Sequence, residues 1–96
     1  MQHSIFRPLS LSVLLSVTAG ANLALAEPKC TDEPRDKWQD ATALQKNLEK
    51  QGYKIKNFHV TDGNCYELYG WDQAGKKVEI YFNPVDGSPV KSNVEK

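Results

Sequence analysis

Cys65-Tyr66-Glu67-Leu68-Tyr69-Gly70-Trp71-Asp72, then Gln73-Ala74-Gly75, then Lys76-Lys77-Val78-Glu79-Ile80-Tyr81-Phe82-Asn83 is the stretch that decides the fold. Residue character alternates with period two on both sides of a short linker ending in glycine, the pattern of an antiparallel hairpin. Taking Gln73-Ala74-Gly75 as a three-residue loop with Gly75 in the left-handed position sets Asp72 opposite Lys76 and Gly70 opposite Val78. Leu68 then faces Ile80, and Tyr66 faces Phe82. A slip of one residue would put Leu68 against a polar neighbour, so this register is preferred.

The same reasoning extends outward. Asp62-Gly63-Asn64 is a second turn, placing Val60 opposite Tyr66 and Phe58 opposite Leu68. Strands are predicted over residues 53–61, 65–72, 76–83 and 88–93. Pro84-Val85-Asp86-Gly87 forms the last turn, and Pro89 confines the fourth strand to a sheet edge. The opposite face of the sheet then carries His59, Glu67, Tyr69, Trp71, Glu79 and Tyr81. Ile55 breaks the alternation by falling on that polar face. A bulge near Asn57 returns Ile55 and Tyr53 to the core side.

Upstream the period changes. Ala41, Leu44 and Leu48 recur at helical spacing, with Lys46, Asn47, Glu49 and Lys50 on the solvent side. Asp40 is a candidate N-cap, with Thr42 and Gln45 as a rival capping box, and Gly52 is the C′ residue. Trp38 is expected over the helix start. The fold class is therefore α+β: one N-terminal helix packed on an antiparallel meander of three to four strands. The apolar helix stripe has the Leu68–Ile80 face to cover.

Ninety-six residues fit one domain. Residues 1–26 read as an export signal: a weakly basic start at His3 and Arg7, an apolar run from Leu9 to Val17, and Ala24-Leu25-Ala26 as cleavage site. Serines at 10, 12 and 16 dilute the run, and no Lys/Arg cluster follows, so cleavage is expected instead of stable membrane insertion. Removing 26 of 96 residues leaves 70. Residues 27–37 are expected to form an extended, polar, proline-containing leader, and residues 38–96 the domain. Loss of Arg7 leaves 11 of the 12 basic groups against 12 acidic ones, a balance that speaks against a nucleic-acid partner.

Cys30 and Cys65 are the two cysteines, and both lie beyond the cleavage site. In an oxidising compartment they read as a disulfide. The 35-position separation is worth roughly 4 kcal/mol of chain entropy. That is a large fraction of the stability open to a domain of this size. The placement of the chain is periplasmic or secreted.

The ordered series Gly52-Tyr53, Cys65-Tyr66-Glu67, Asp72 with Gly75-Lys76, Val78-Glu79 with Tyr81, and Asn83-Pro84 with Gly87 resembles a PepSY domain over residues 38–92. The family's last turn is usually Asp-Pro-x-Thr-Gly. Here Asn83 and Asp86 replace the Asp and Thr, a change a turn tolerates. The resemblance implies a helix on an antiparallel sheet and a non-enzymatic role. PepSY domains occur in propeptides of thermolysin-like metallopeptidases, associated with inhibition or folding assistance, and alone in envelope proteins.

The residues themselves offer little catalysis. His59 is the one histidine beyond the signal, and Ser88 and Ser92 sit at the far side of the sheet. One histidine with scattered carboxylates does not make a metal site, and no cofactor motif is present. Glu67 and Glu79 share a face but are interleaved with tyrosines. The expected function is a protein-binding module acting on another envelope protein, with inhibition or modulation of a peptidase or hydrolase as the form that role takes. The alternative is a small-ligand carrier. The expected binding residues are His59, Glu67, Tyr69, Trp71, Glu79 and Tyr81. Two covers for their aromatic rings are open: the leader, or a partner.

Processing after Ala26 is expected, giving a chain that starts Glu27-Pro28-Lys29. Intact mass of the protein from its host checks this, and a dominant species retaining residues 1–26 would contradict it.

Overall fold

The structure, a computed structural model, describes residues 27–95. The expected signal segment, residues 1–26, lies outside the described residues. Among the described residues one α-helix, α1 (Ala41–Lys50), precedes four strands: β1 (Lys54–Val60), β2 (Tyr66–Trp71), β3 (Lys77–Phe82) and β4 (Pro89–Val94). The strands form a single antiparallel sheet in the order β1-β2-β3-β4.

Helix α1 starts at Asp40, whose Oδ2 accepts a hydrogen bond from the Ala43 N–H (2.9 Å). Thr42 therefore lies inside the helix. Its end is closed by two backbone bonds. The Gly52 N–H donates to the Glu49 carbonyl (3.0 Å) and the Tyr53 N–H to the Leu48 carbonyl (3.2 Å). This Schellman pattern needs a left-handed C′ residue, and Gly52 supplies it with φ +106°.

The hairpin register is the one the sequence dictates. Leu68 pairs with Ile80, Gly70 with Val78 and Tyr66 with Phe82, while Val60 pairs with Tyr66 and Phe58 with Leu68. Both tight loops place their third residue in the left-handed region, Gly75 at φ +81° and Asn64 at φ 61°. Asp72 fixes the first of them: its Oδ1 accepts from the N–H groups of Ala74 and Lys76. The core consists of Leu44, Leu48, Tyr66, Leu68, Val78, Ile80 and Phe82, with Trp38, Ala41, Tyr53, Ile55, Phe58 and Val60 packed against it. Tyr66 and Trp38 pack edge-to-face (5.6 Å between centroids, planes at 89°), and the Tyr66 hydroxyl donates to the Gln39 carbonyl (2.7 Å). Strand β4 lies at the edge with Pro89 as its first residue.

A bulge interrupts β1, with Ile55 opposite Gly70, Asn57 opposite Tyr69, and Lys56 left over between them. Ile55 thereby returns to the core. The bulge brings the β1 backbone onto β2 at a point where a side chain would not fit. A Cβ built on Gly70 would overlap the Lys54 carbonyl oxygen.

The disulfide joins Cys30 to Cys65, with Cα atoms 5.1 Å apart. Hydrogen bonds flank it on both sides: the Cys30 N–H donates to the Gly63 carbonyl (2.9 Å), and Asn83 Nδ2 donates to the Cys30 carbonyl (3.2 Å). The leader thus crosses the end of the sheet from the β1–β2 turn to the end of β3. It then passes to the other side, where Trp38 joins the core.

Gly70→Ala should destabilise the domain by about 1–3 kcal/mol, because the backbone carbonyl of Lys54 has to move. Urea unfolding measures this. A cost near zero would show that β1 and β2 do not approach as closely as the bulge requires.

Candidate functional site

The sheet face opposite α1 is built by register. His59 on β1 pairs with Glu67 on β2, and Glu67 with Tyr81 on β3. Tyr69 pairs with Glu79, and Trp71 with Lys77. On β4, Lys91 pairs with Tyr81 and Asn93 with Glu79. All six residues expected on this face are on it, but they are not equally accessible.

Glu67 and Tyr81 are buried, 2% and 4% exposed. Glu79 and Trp71 are half-buried. Tyr69 stands out at 40% exposed, and the His59 side chain at 42%. Glu67 and Tyr81 lie nearest the end that the leader crosses. Cys65 is next on the same side of β2 as Glu67, and Asn83 next on the same side of β3 as Tyr81. Both hold Cys30. Trp71 and Lys77 lie at the opposite end.

The centre of the face is a polar network. Glu79 Oε2 accepts from the hydroxyls of Tyr69 (2.8 Å) and Tyr81 (3.0 Å), and Glu79 Oε1 accepts from Asn93 Nδ2 (3.1 Å). His59 Nε2 lies 3.0 Å from Glu67 Oε1, and His59 Nδ1 lies 3.2 Å from Asn57 Oδ1. The His59 ring stacks on Tyr69 with centroids 6.1 Å apart and planes at 25°. Asn57 and Asn93 were not among the residues expected here. Asn93 becomes visible once β4 is given a register, which its pairing with Glu79 supplies.

Two carboxyls this close divide their protons unequally. Burial pushes the Glu67 pKa up, and the hydrogen bond with Glu79 adds to the rise. That same hydrogen bond, helped by Tyr69, Asn93 and Tyr81, holds Glu79 down at about 2. Glu67 Oε2 is buried with no donor of its own. Hydrogen bonding to Glu79 raises the Tyr69 pKa, and burial followed by the Glu79 bond raises that of Tyr81. Both phenols remain donors.

Among the described residues no cluster of three or more His, Cys, Asp or Glu side chains is arranged to hold a metal ion. None of their helices is long and apolar enough to cross a membrane.

Residues 10–93 match the family model described as peptidase propeptide and YPEB domain, PepSY. The chain belongs to the PepSY family. No curated protein and no solved structure matches it. Membership agrees with the helix-on-meander fold, and PepSY domains are typically exported, which the disulfide fits. The family's description is that of a peptidase propeptide module. In this PepSY domain the Gly52-Tyr53 step is the helix stop, and the Asn83-Pro84-x-x-Gly87 turn is closed by the Gly87 N–H donating to the Asn83 carbonyl (2.7 Å).

A pH dependence follows. Glu67 holds its proton more tightly folded than unfolded, so its environment costs nothing at low pH. The cost enters as pH rises past the ordinary carboxyl value of 4.5. Glu67→Gln mimics the protonated acid, so the variant should gain stability relative to the parent as pH rises from 4 to 8. Urea midpoints at several pH values check this; parallel curves would contradict it.

Proposed function

We propose that this chain is a non-enzymatic protein-binding module of the cell envelope, periplasmic or secreted. It docks on a partner, a peptidase or hydrolase that it inhibits or modulates, through the face around Tyr69 and Trp71. The observation that carries the reading is the state of Tyr69. Its ring is exposed, yet its hydroxyl is tied to Glu79 and its face is stacked on His59. An aromatic side chain already fixed in place loses little entropy on binding, which is the property of interface anchors. Trp71 continues the apolar surface at the open end, with Lys54 and Lys77 on the adjacent strands.

Glu67 and Tyr81 then act as supports. They lie beneath the surface and hold Glu79 and His59, which in turn hold Tyr69. Their burial also counts against acid–base catalysis by the carboxyl pair, because a general acid has to reach its substrate. The carrier alternative finds less support. The groove of 520 Å³ lined by Gly52, Lys54, Trp71, Asp72, Gln73 and Gly75 is an open surface feature, and ligand sites enclose most of their ligand.

The test is capture of envelope proteins by the wild-type domain and by Tyr69→Ala and Trp71→Ala. Each substitution should weaken partner binding by about tenfold or more, with a loss of stability small enough to leave the domain folded at the assay temperature. Equal capture by all three would remove this face as the site. Recovery of a bound metabolite in native mass spectra, with no protein partner, would favour the carrier.

A further inference from the structure

Strand β4 is paired on one side only. Its ladder to β3 continues beyond Val94, since the Glu95 N–H donates to the Lys77 carbonyl (2.9 Å). Antiparallel strands alternate between hydrogen-bonded and non-hydrogen-bonded pairs. Lys91, Asn93 and Glu95 therefore bond to β3. Ser92 and Val94 turn their N–H and C=O groups to the free edge. All six residues of β4 are exposed, Val90 at 45% and Val94 at 49%. Among the described residues no strand pairs with this edge. The other edge of the sheet is protected differently: the bulge at Lys56 breaks β1, and Lys54 and Lys56 add charge.

We propose that the occupant of the β4 edge is a second copy of this chain, paired β4 to β4 and antiparallel, with the two-fold axis at Asn93. The register comes from the strand's own sequence. Edge residues bond only to edge residues, so within residues 91–95 Ser92 meets either Ser92 or Val94 of the second copy. In the Ser92–Val94 register that pair occurs twice, on either side of a single Asn93–Asn93 pair, and Lys91 stands opposite Glu95 of the second copy at both ends. In the Ser92–Ser92 register Lys91 meets Asn93 and Glu95 meets Pro89, so neither charge is matched. Charge complementarity selects the first. Antiparallel pairing keeps like faces on one side, so two Tyr69 surfaces would share one face of an eight-stranded sheet. This inference is independent of what the Tyr69 face binds.

Sedimentation equilibrium of the oxidised protein, from micromolar to ~1 mM, should show a monomer–dimer equilibrium. Lys91→Glu should weaken it by about tenfold or more, and Lys91→Glu combined with Glu95→Lys should restore it. Both positions are exposed, so melting temperatures should stay close to that of the parent. Asn93→Cys sits at the axis in a non-hydrogen-bonded pair, with Cα atoms ~4.5 Å apart. It should form a linked dimer on mild oxidation, with Cys30–Cys65 intact by peptide mapping. Linkage through Ser92→Cys and not Asn93→Cys would overturn the register and the Lys91–Glu95 match. A monomer at every concentration would overturn the dimer, as would a Lys91→Glu loss that the charge swap does not recover. Exchange-protected Ser92 and Val94 amides in a monomer would also overturn it, by giving the edge to another segment of the same chain.

Discussion

The pairing of Leu68 with Ile80 holds the rest of the molecule in place. Side chains on a strand alternate, so fixing this pair on the helix side sends Glu67, Tyr69, Glu79 and Tyr81 to the other side. Leu68 is fully buried and Ile80 nearly so. Moving the register by one residue would exchange the core for the carboxylates. The polar network on the far face is therefore a by-product of core packing in its position, and a product of side-chain chemistry in its details. Glu79 finds three donors because Tyr69, Tyr81 and Asn93 are its neighbours along and across the strands.

Much of this was legible in the sequence, for local reasons. Gly75 and the Asp62-Gly63-Asn64 turn set the loops. Alternation set the pairs, and the misplaced Ile55 gave away the bulge. What was not legible is the depth of the second face. A strand pattern distinguishes sides but not how well each is covered, so Glu67 and Tyr81 read as surface residues although they are buried. The groups gathered at their end of the sheet and on the adjacent strand are remote in sequence. The leader is bound at Gly63, Cys65 and Asn83, and β4 brings Asn93 to Glu79. The cysteine pair said that the leader was tied down beside the β1–β2 turn; it did not say that Asn83 at the end of β3 would hold it as well.

The two faces answer different demands. The helix side is apolar, and the hydroxyl of its buried Tyr66 is satisfied by the Gln39 carbonyl. The far side combines a buried carboxyl, a strongly acidic neighbour and phenols that stay protonated. Interaction energy there goes into orientation: each member of the network restricts the rotamers of the next, out to the ring of Tyr69. A rigid side chain on a strand is a more accurate probe of a partner's shape than the same residue on a loop.

The meander has a kinetic consequence. Every strand pairs with its neighbour in the chain, so most of the loops closed during folding are short, a topology that goes with fast folding. The covalent bond from position 30 to position 65 is a long-range tie. Its Cys65 end sits beside the β1–β2 turn, a local structure that can form before the leader arrives. Oxidation then acts as a latch on a sheet already assembled. A reduced chain has a route to its strand order that does not wait for the thiols.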